Sequence, residues 1–259
     1  MGVYIKIPNV TFTKYIGIAE IEDEPIIPDV PDEPTVPDIY PVTDTLKGLY
    51  YLGGTADESL VNHANGDIVP TIPSSATVTF ADGYASFDGA MNADRISTNV
   101  NVSPENGVTM VALFRVPTGK RSILSTNQNS VTGKGVTFTN DRAYAYIGGT
   151  GGQHLYPNGS INTSNFVLCA FTASVDGVRA VKSENNGGVT ELLTVAGVVD
   201  VWSASAGVTI GGGQQNLSYG DPADIALVSI HEGDVTDEQL QQIFEHVRWY
   251  GESKGLTIE

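Results

Sequence analysis

Cysteine is almost missing from this chain. Cys169 stands alone, so no disulfide can close within it. It lies in the apolar run Phe166–Phe171 (FVLCAF), which reads as a strand holding a buried structural thiol. Such a composition is expected of a protein made in a reducing cytoplasm. Basic residues are scarce as well: 13 Lys and Arg stand against 30 Asp and Glu, a net charge of −17. Nucleic-acid binding needs a basic face to displace counterions, and anionic lipid asks for the same, so neither partner is expected. No apolar run approaches the roughly 20 residues that span a bilayer. The start, MGVYIKIPNV, has no charged segment leading into an apolar one and does not read as a signal peptide.

Helical pattern is nearly absent too, and the one convincing helix closes the chain. In Asp224–His231 both alternating sets are largely apolar, as in a strand covered above and below. Thr236 then stands as an N-cap, Gln239 completes a capping box and Val235 is placed to staple onto Leu240. Leu240, Ile243, Phe244, Val247 and Tyr250 follow at helical spacing, and Lys254-Gly255 supplies the stop.

Residues 1–19 hold two short apolar-alternating runs around Pro8 and read as an attachment segment. Residues 20–44 change character, with nine acidic side chains, no Lys or Arg, and Pro25, Pro28, Pro31, Pro34 and Pro37 every third position. Polyproline II has three residues per turn, so these rings line one face of a stiff rod reaching roughly 50 Å at about 3.1 Å per residue. Ile27, Val30, Val36 and Ile39 repeat in step with them. A solvated spacer gains nothing from this second stripe, which points to contact with a sister chain, a trimer in the favoured arrangement, or with a partner particle. Residues 45–259 form the remaining domain, where turn pairs such as Asn65-Gly66, Asp82-Gly83, Asn106-Gly107 and Asp176-Gly177 separate about a dozen short strands. The class is all-β: a two-sheet antiparallel jelly-roll sandwich with one C-terminal amphipathic helix and an extended N-terminal arm.

Four local features resemble the concanavalin A-like, laminin-G-like jelly-roll superfamily. Leu49–Leu52, followed by Asp57-Glu58-Ser59 and Asn65-Gly66, is similar to its opening strand and loop; Tyr84–Gly89 (YASFDG) is similar to its "a-x-F-D-G" hairpin. Val108–Val116 with Arg121–Ser125 looks like its central strand pair, and Asp224–Tyr250 looks like its ending. The chain departs from the pattern at Asn165-Phe166-Val167, where the family has Trp, and in its calcium loops. Asp57, Asn62, Asn65 and Asp67 offer hard oxygen ligands, but turn and capping roles fit them as well, so no cofactor is assigned. The short N-terminus, the acidic proline rod and the helix ending also resemble proteins of tailed-bacteriophage virions. That likeness implies a protein made in the host cytoplasm, attached to virion proteins through its arm and carried on the outer surface.

Catalytic patterns are lacking. Glucanases of the superfamily carry closely spaced acids on one strand to supply nucleophile and acid, and no core strand here does. There is no G-x-S-x-G and no H-E-x-x-H; His63, His154, His231 and His246 are scattered, the last reading as a surface or boundary position. A glycan-degrading enzyme is therefore the least supported class. What remains is a loop set suited to sugar. Tyr144 and Tyr146 share one strand face, then Gly148–Gly152, His154, Tyr156 and Asn158 follow, with Tyr219 in a second polar loop. The same tyrosines also fit as sandwich packing. Two functions stay open: a non-enzymatic virion adhesion protein binding surface glycans, or a decoration protein that only stabilises the particle.

Overall fold

The turn residues cut the β domain into short strands, and pairing registers them into two sheets. A computed structural model describes residues 40–88, 94–102, 105–126, 135–147, 150–157, 161, 163–185, 187–197, 207–213 and 220–259. Eight strands make the first sheet: β1 (Leu46–Tyr51), β2 (Thr79–Ala81), β3 (Tyr84–Phe87), β5 (Val108–Arg115), β10 (Val167–Ser174), β11 (Gly177–Ser183), β12 (Val189–Ala196) and β14 (Ala223–Glu232). Six make the second: β4 (Ile96–Asn101), β6 (Ser122–Ser125), β7 (Val136–Thr139), β8 (Arg142–Ile147), β9 (Thr150–Leu155) and β13 (Gly207–Ile210). The first runs β12-β11-β10-β5-β14-β3-β2, with β1 also on β14; the second runs β4-β13-β6-β7-β8-β9. Every named strand pair is antiparallel.

Three layers result. Met110, Ala112 and Phe114 of β5, with Val228 and Ile230 of β14, face the core between the sheets. Val111, Leu113 and Leu227 alternate to the other side, under the helix α2 (Asp237–Ser253). This explains why β14 is apolar on both faces. Thr236 Oγ1 accepts from the Gln239 amide while Gln239 Oε1 accepts from the Thr236 amide, closing the expected capping box. Leu240, Ile243, Phe244, Val247 and Tyr250 are all buried on the sheet. Gly255, at φ 70°, ends the helix region in the left-handed conformation that glycine tolerates.

Four expectations change. Thr150–Leu155, read as loop, is strand β9; two glycines hide its β character, and pairing with β8 supplies it. A one-turn helix, α1 (Ala56–Ser59), capped by Thr55, occupies the loop after β1. His246 is buried, because the apolar stripe of α2 is wide enough to take in its flank beside Tyr40 and Tyr51. Tyr40 and Val42, assigned by composition to the rod, are buried in the layer under α2, and Tyr40 Oη donates to Ser229 Oγ at 2.7 Å. The apolar stripe Ile27, Val30, Val36 and Ile39 lies outside the described residues.

Candidate functional site

Strand register decides which side chains of the six-stranded sheet face outward. Ile96, Ile210, Leu124, Phe138 and Ala143 stand side by side across five strands, and all belong to the inter-sheet core. Side chains alternate along a strand, so the neighbouring row faces the other way. That row is Ser97, Thr209, Ser125, Thr137 and Tyr144, continued by backbone pairing to Gln153. Beside it run Ser122, Thr139 and Arg142, paired on to Leu155. The outward face is thus a bed of hydroxyls edged by a tyrosine and an arginine. The sequence carries this signal in VTFT and GVTI, where Thr alternates with apolar residues, whereas SILS owes its facing to a bulge between Ser122 and Leu124.

The bed is ordered by its own hydrogen bonds. Ser125 Oγ and Thr137 Oγ1 are 2.7 Å apart, and Thr209 Oγ1 donates to the Gly212 carbonyl at 2.6 Å. These three side chains and Ser122 are buried, whereas Ser97, Arg142 and Tyr144 are partly exposed and Leu155 is 59% exposed. At the Arg142 end, Asp141 receives Arg142 Nη2 at 2.6 Å, Lys120 Nζ at 3.2 Å and Thr139 Oγ1 at 2.7 Å. Burial pushes the Asp141 carboxyl up, but the bonds from Arg142, Thr139 and Lys120 outweigh it and hold the group below its usual range.

The expected site residues divide. Tyr144 is on the outward face. Tyr156 is not: it is buried in the inter-sheet core and its hydroxyl donates to the Thr139 carbonyl, so it packs rather than binds. His154 pairs with Ala143, on the core-facing row, and is half-buried. Its position in an alternating strand, unread in the sequence, turns it away from Tyr144. Tyr146 pairs with Gly151 in the β8–β9 hairpin, while Asn158 and Tyr219 lie outside the described residues. Among the calcium candidates, Asn62 is buried, with Oδ1 accepting from the Leu49 and Ala64 amides and Nδ2 donating to the Lys47 carbonyl. Asn65 accepts from the Asp67 amide in a turn. Among the described residues no three acidic, histidine or cysteine side chains cluster as a metal site would need.

Arg121 figures in the sequence only as the start of a strand-pair motif, with no sign of its burial. It is fully buried beneath the end of this sheet, and its guanidinium donates to the carbonyls of Gly211, Asp221 and Asp94 at 2.5, 3.3 and 2.9 Å. It also lies over the Phe87 ring. Burial lowers its pKa to about 10, while Asp94, Asp88 and Asp221 work to raise it. One cation therefore ties together the backbone at three separated points of the chain.

No family model matches the sequence, and no curated protein matches it. Solved structures do. Trypanosoma rangeli sialidase aligns with TM-score 0.54 at 12% identity, over 84% of this chain and 36% of the sialidase chain. The binding domain of botulinum neurotoxin serotype D aligns with TM-score 0.51 at 9% identity, over 79% of this chain and 51% of the other. The serotype D ligand-binding domain in complex with N-acetylneuraminic acid aligns with TM-score 0.50 at 11% identity, over 79% and 51%. This chain thus matches about a third of the sialidase and about half of the neurotoxin chain. At such identities the likeness is one of fold, a two-sheet β sandwich.

Proposed function

We propose that this chain is a non-enzymatic adhesion protein of a bacteriophage virion, displaying a lectin-like domain that binds surface glycans. The observation that carries the reading is the outward polar row ending at Tyr144. A pyranose ring has an apolar face to stack and hydroxyls to pair; the partly exposed Tyr144 offers the first and the partly exposed Arg142 on the same strand the second. The solved neurotoxin domain with N-acetylneuraminic acid supports sugar binding as a use of this sandwich. The sialidase likeness covers only 36% of that enzyme, at 12% identity. The virion setting rests on the arm: an acidic proline rod between a short apolar segment and a β domain suits attachment at one end and display at the other. Through that arm the chain would contact virion proteins and sister copies, which raises the avidity of weak sugar sites. Among the described residues no helix is long and apolar enough to cross a membrane.

A glycan array probed with the full chain and with Tyr144→Ala tests this. Retention of the wild-type chain on a subset of glycans, lost in Tyr144→Ala at unchanged melting temperature, is the expected result. No retention at high valency removes the adhesion reading. The buried centre of the hydroxyl bed favours the other class, a decoration protein, which particle-stability measurements with and without the chain would then address.

A further inference from the structure

On the opposite face of the sandwich, where the chain enters β1, lies a recess of about 350 Å³. Tyr40, Thr43, Leu46, Leu49, Tyr51, His63 and Ala64 line it. Leu49 and Tyr40 are buried and form its depth; Thr43 and His63 are exposed at its mouth. The walls are fixed from behind. Tyr51 Oη meets His246 Nε2 at 3.1 Å and its ring lies 4.8 Å from that of Tyr250. Tyr40 is anchored by Ser229 and His231, so neither phenol is free to swing into the space. The His63 ring meets the Tyr51 ring edge to face, centroids 5.0 Å apart. Its ring nitrogens have no hydrogen-bond partner among the described residues.

We propose that this recess is a second ligand site, taking one neutral pyranose ring. None of its seven lining residues carries a charge at neutral pH. Desolvation lowers the His63 pKa, which keeps the imidazole uncharged there, with one ring nitrogen donating and the other accepting. One of these nitrogens matches a sugar hydroxyl as donor or acceptor, the Thr43 hydroxyl adds a second polar contact, and Leu46, Leu49 and Tyr51 supply an apolar surface for the ring face. The net charge of −17 works against an anionic sugar or a phosphate. The recess therefore selects a neutral ring with one apolar face. The inference shares the glycan-binding reading but not its site, which is on the other sheet.

The test follows the His63 ring in a long-range proton–nitrogen NMR spectrum of the full chain, assigned by comparison with His63→Gln. The probes are the methyl glycosides of glucose, galactose, mannose and N-acetylglucosamine, with sialic acid as the anionic control and phenol as a mimic of an aromatic side chain. At least one neutral glycoside should shift the His63 signal saturably, with half-saturation on the order of 1 mM, while sialic acid leaves it in place. The shift should persist in Tyr144→Ala. A silent His63 signal with all four glycosides at roughly 50 mM overturns the proposal. So does a response to phenol alone, which would make the recess a seat for a protein side chain, or to sialic acid alone. A His63 shift without retention on the glycan array leaves this site standing and removes the sheet-face reading; retention with a silent His63 does the reverse.

Discussion

Replacing Arg121 with methionine keeps an unbranched side chain of similar length in the core and removes the guanidinium. Three backbone carbonyls, those of Gly211, Asp221 and Asp94, then lose a donor in the interior. Each buried group left unpaired costs about 1–3 kcal/mol, or roughly 3–9 kcal/mol for the set. Against this, burying the cation is itself unfavourable. The fall of its pKa from 12.5 to about 10 corresponds to about 3 kcal/mol, which the substitution recovers. Asp94, only 1% exposed, also loses the Coulombic attraction of the Arg121 guanidinium. Taken at its midpoint of about 6 kcal/mol, the carbonyl cost is the larger effect, and a net destabilisation of about 3 kcal/mol follows. Urea unfolding at constant slope should show it as a lower midpoint, with Arg121→Lys falling between variant and wild type because an ammonium cannot span three carbonyls. A methionine variant within about 1 kcal/mol of wild type would refute the reasoning, since the carbonyls must then find water or other partners.

Phe244→Ala should cost about 3–5 kcal/mol, because the ring is 4% exposed in the layer under α2; a loss below half a kcal/mol would place α2 outside the core. Stability should fall with acid through the histidines. Burial lowers the His231 pKa to about 4, so the unfolded chain takes up the proton near pH 6.5 and the folded one does not. The stabilisation is therefore full above pH 6.5 and lost progressively down to about pH 4, amounting to about 2 kcal/mol between pH 7 and pH 5. His63 and His246, also lowered by burial, add with the same sign. Denaturant midpoints of wild type and His231→Gln at the two pH values check this, and equal pH dependence in both would discount it. Sedimentation of the full chain against one starting at Val36, which keeps Tyr40 and Val42, tests the arm. Ile27→Ser with Val30→Ser should return any oligomer to monomer at unchanged melting temperature.

Local pattern determined a good deal of this protein. The helix at Asp237–Ser253, its cap and its buried stripe were legible because helix periodicity and capping chemistry are read within a few residues. Val136–Thr139 and Tyr84–Phe87 stand as strands for the same reason: alternation bounded by turns is a short-range signal. The facing of the candidate site was not legible in this way. Tyr144 and Tyr156 read alike in the chain, yet register sends the first outward and the second into the core. Pairing between strands far apart in sequence sets that choice, and a shift of one residue reverses it. Thr150–Leu155 became a strand only through its partner β8. Arg121, Tyr40 and His246 gained their roles the same way. Burial of a polar side chain depends on whether distant backbone and side-chain groups arrive to meet it, and only the folded chain brings them together.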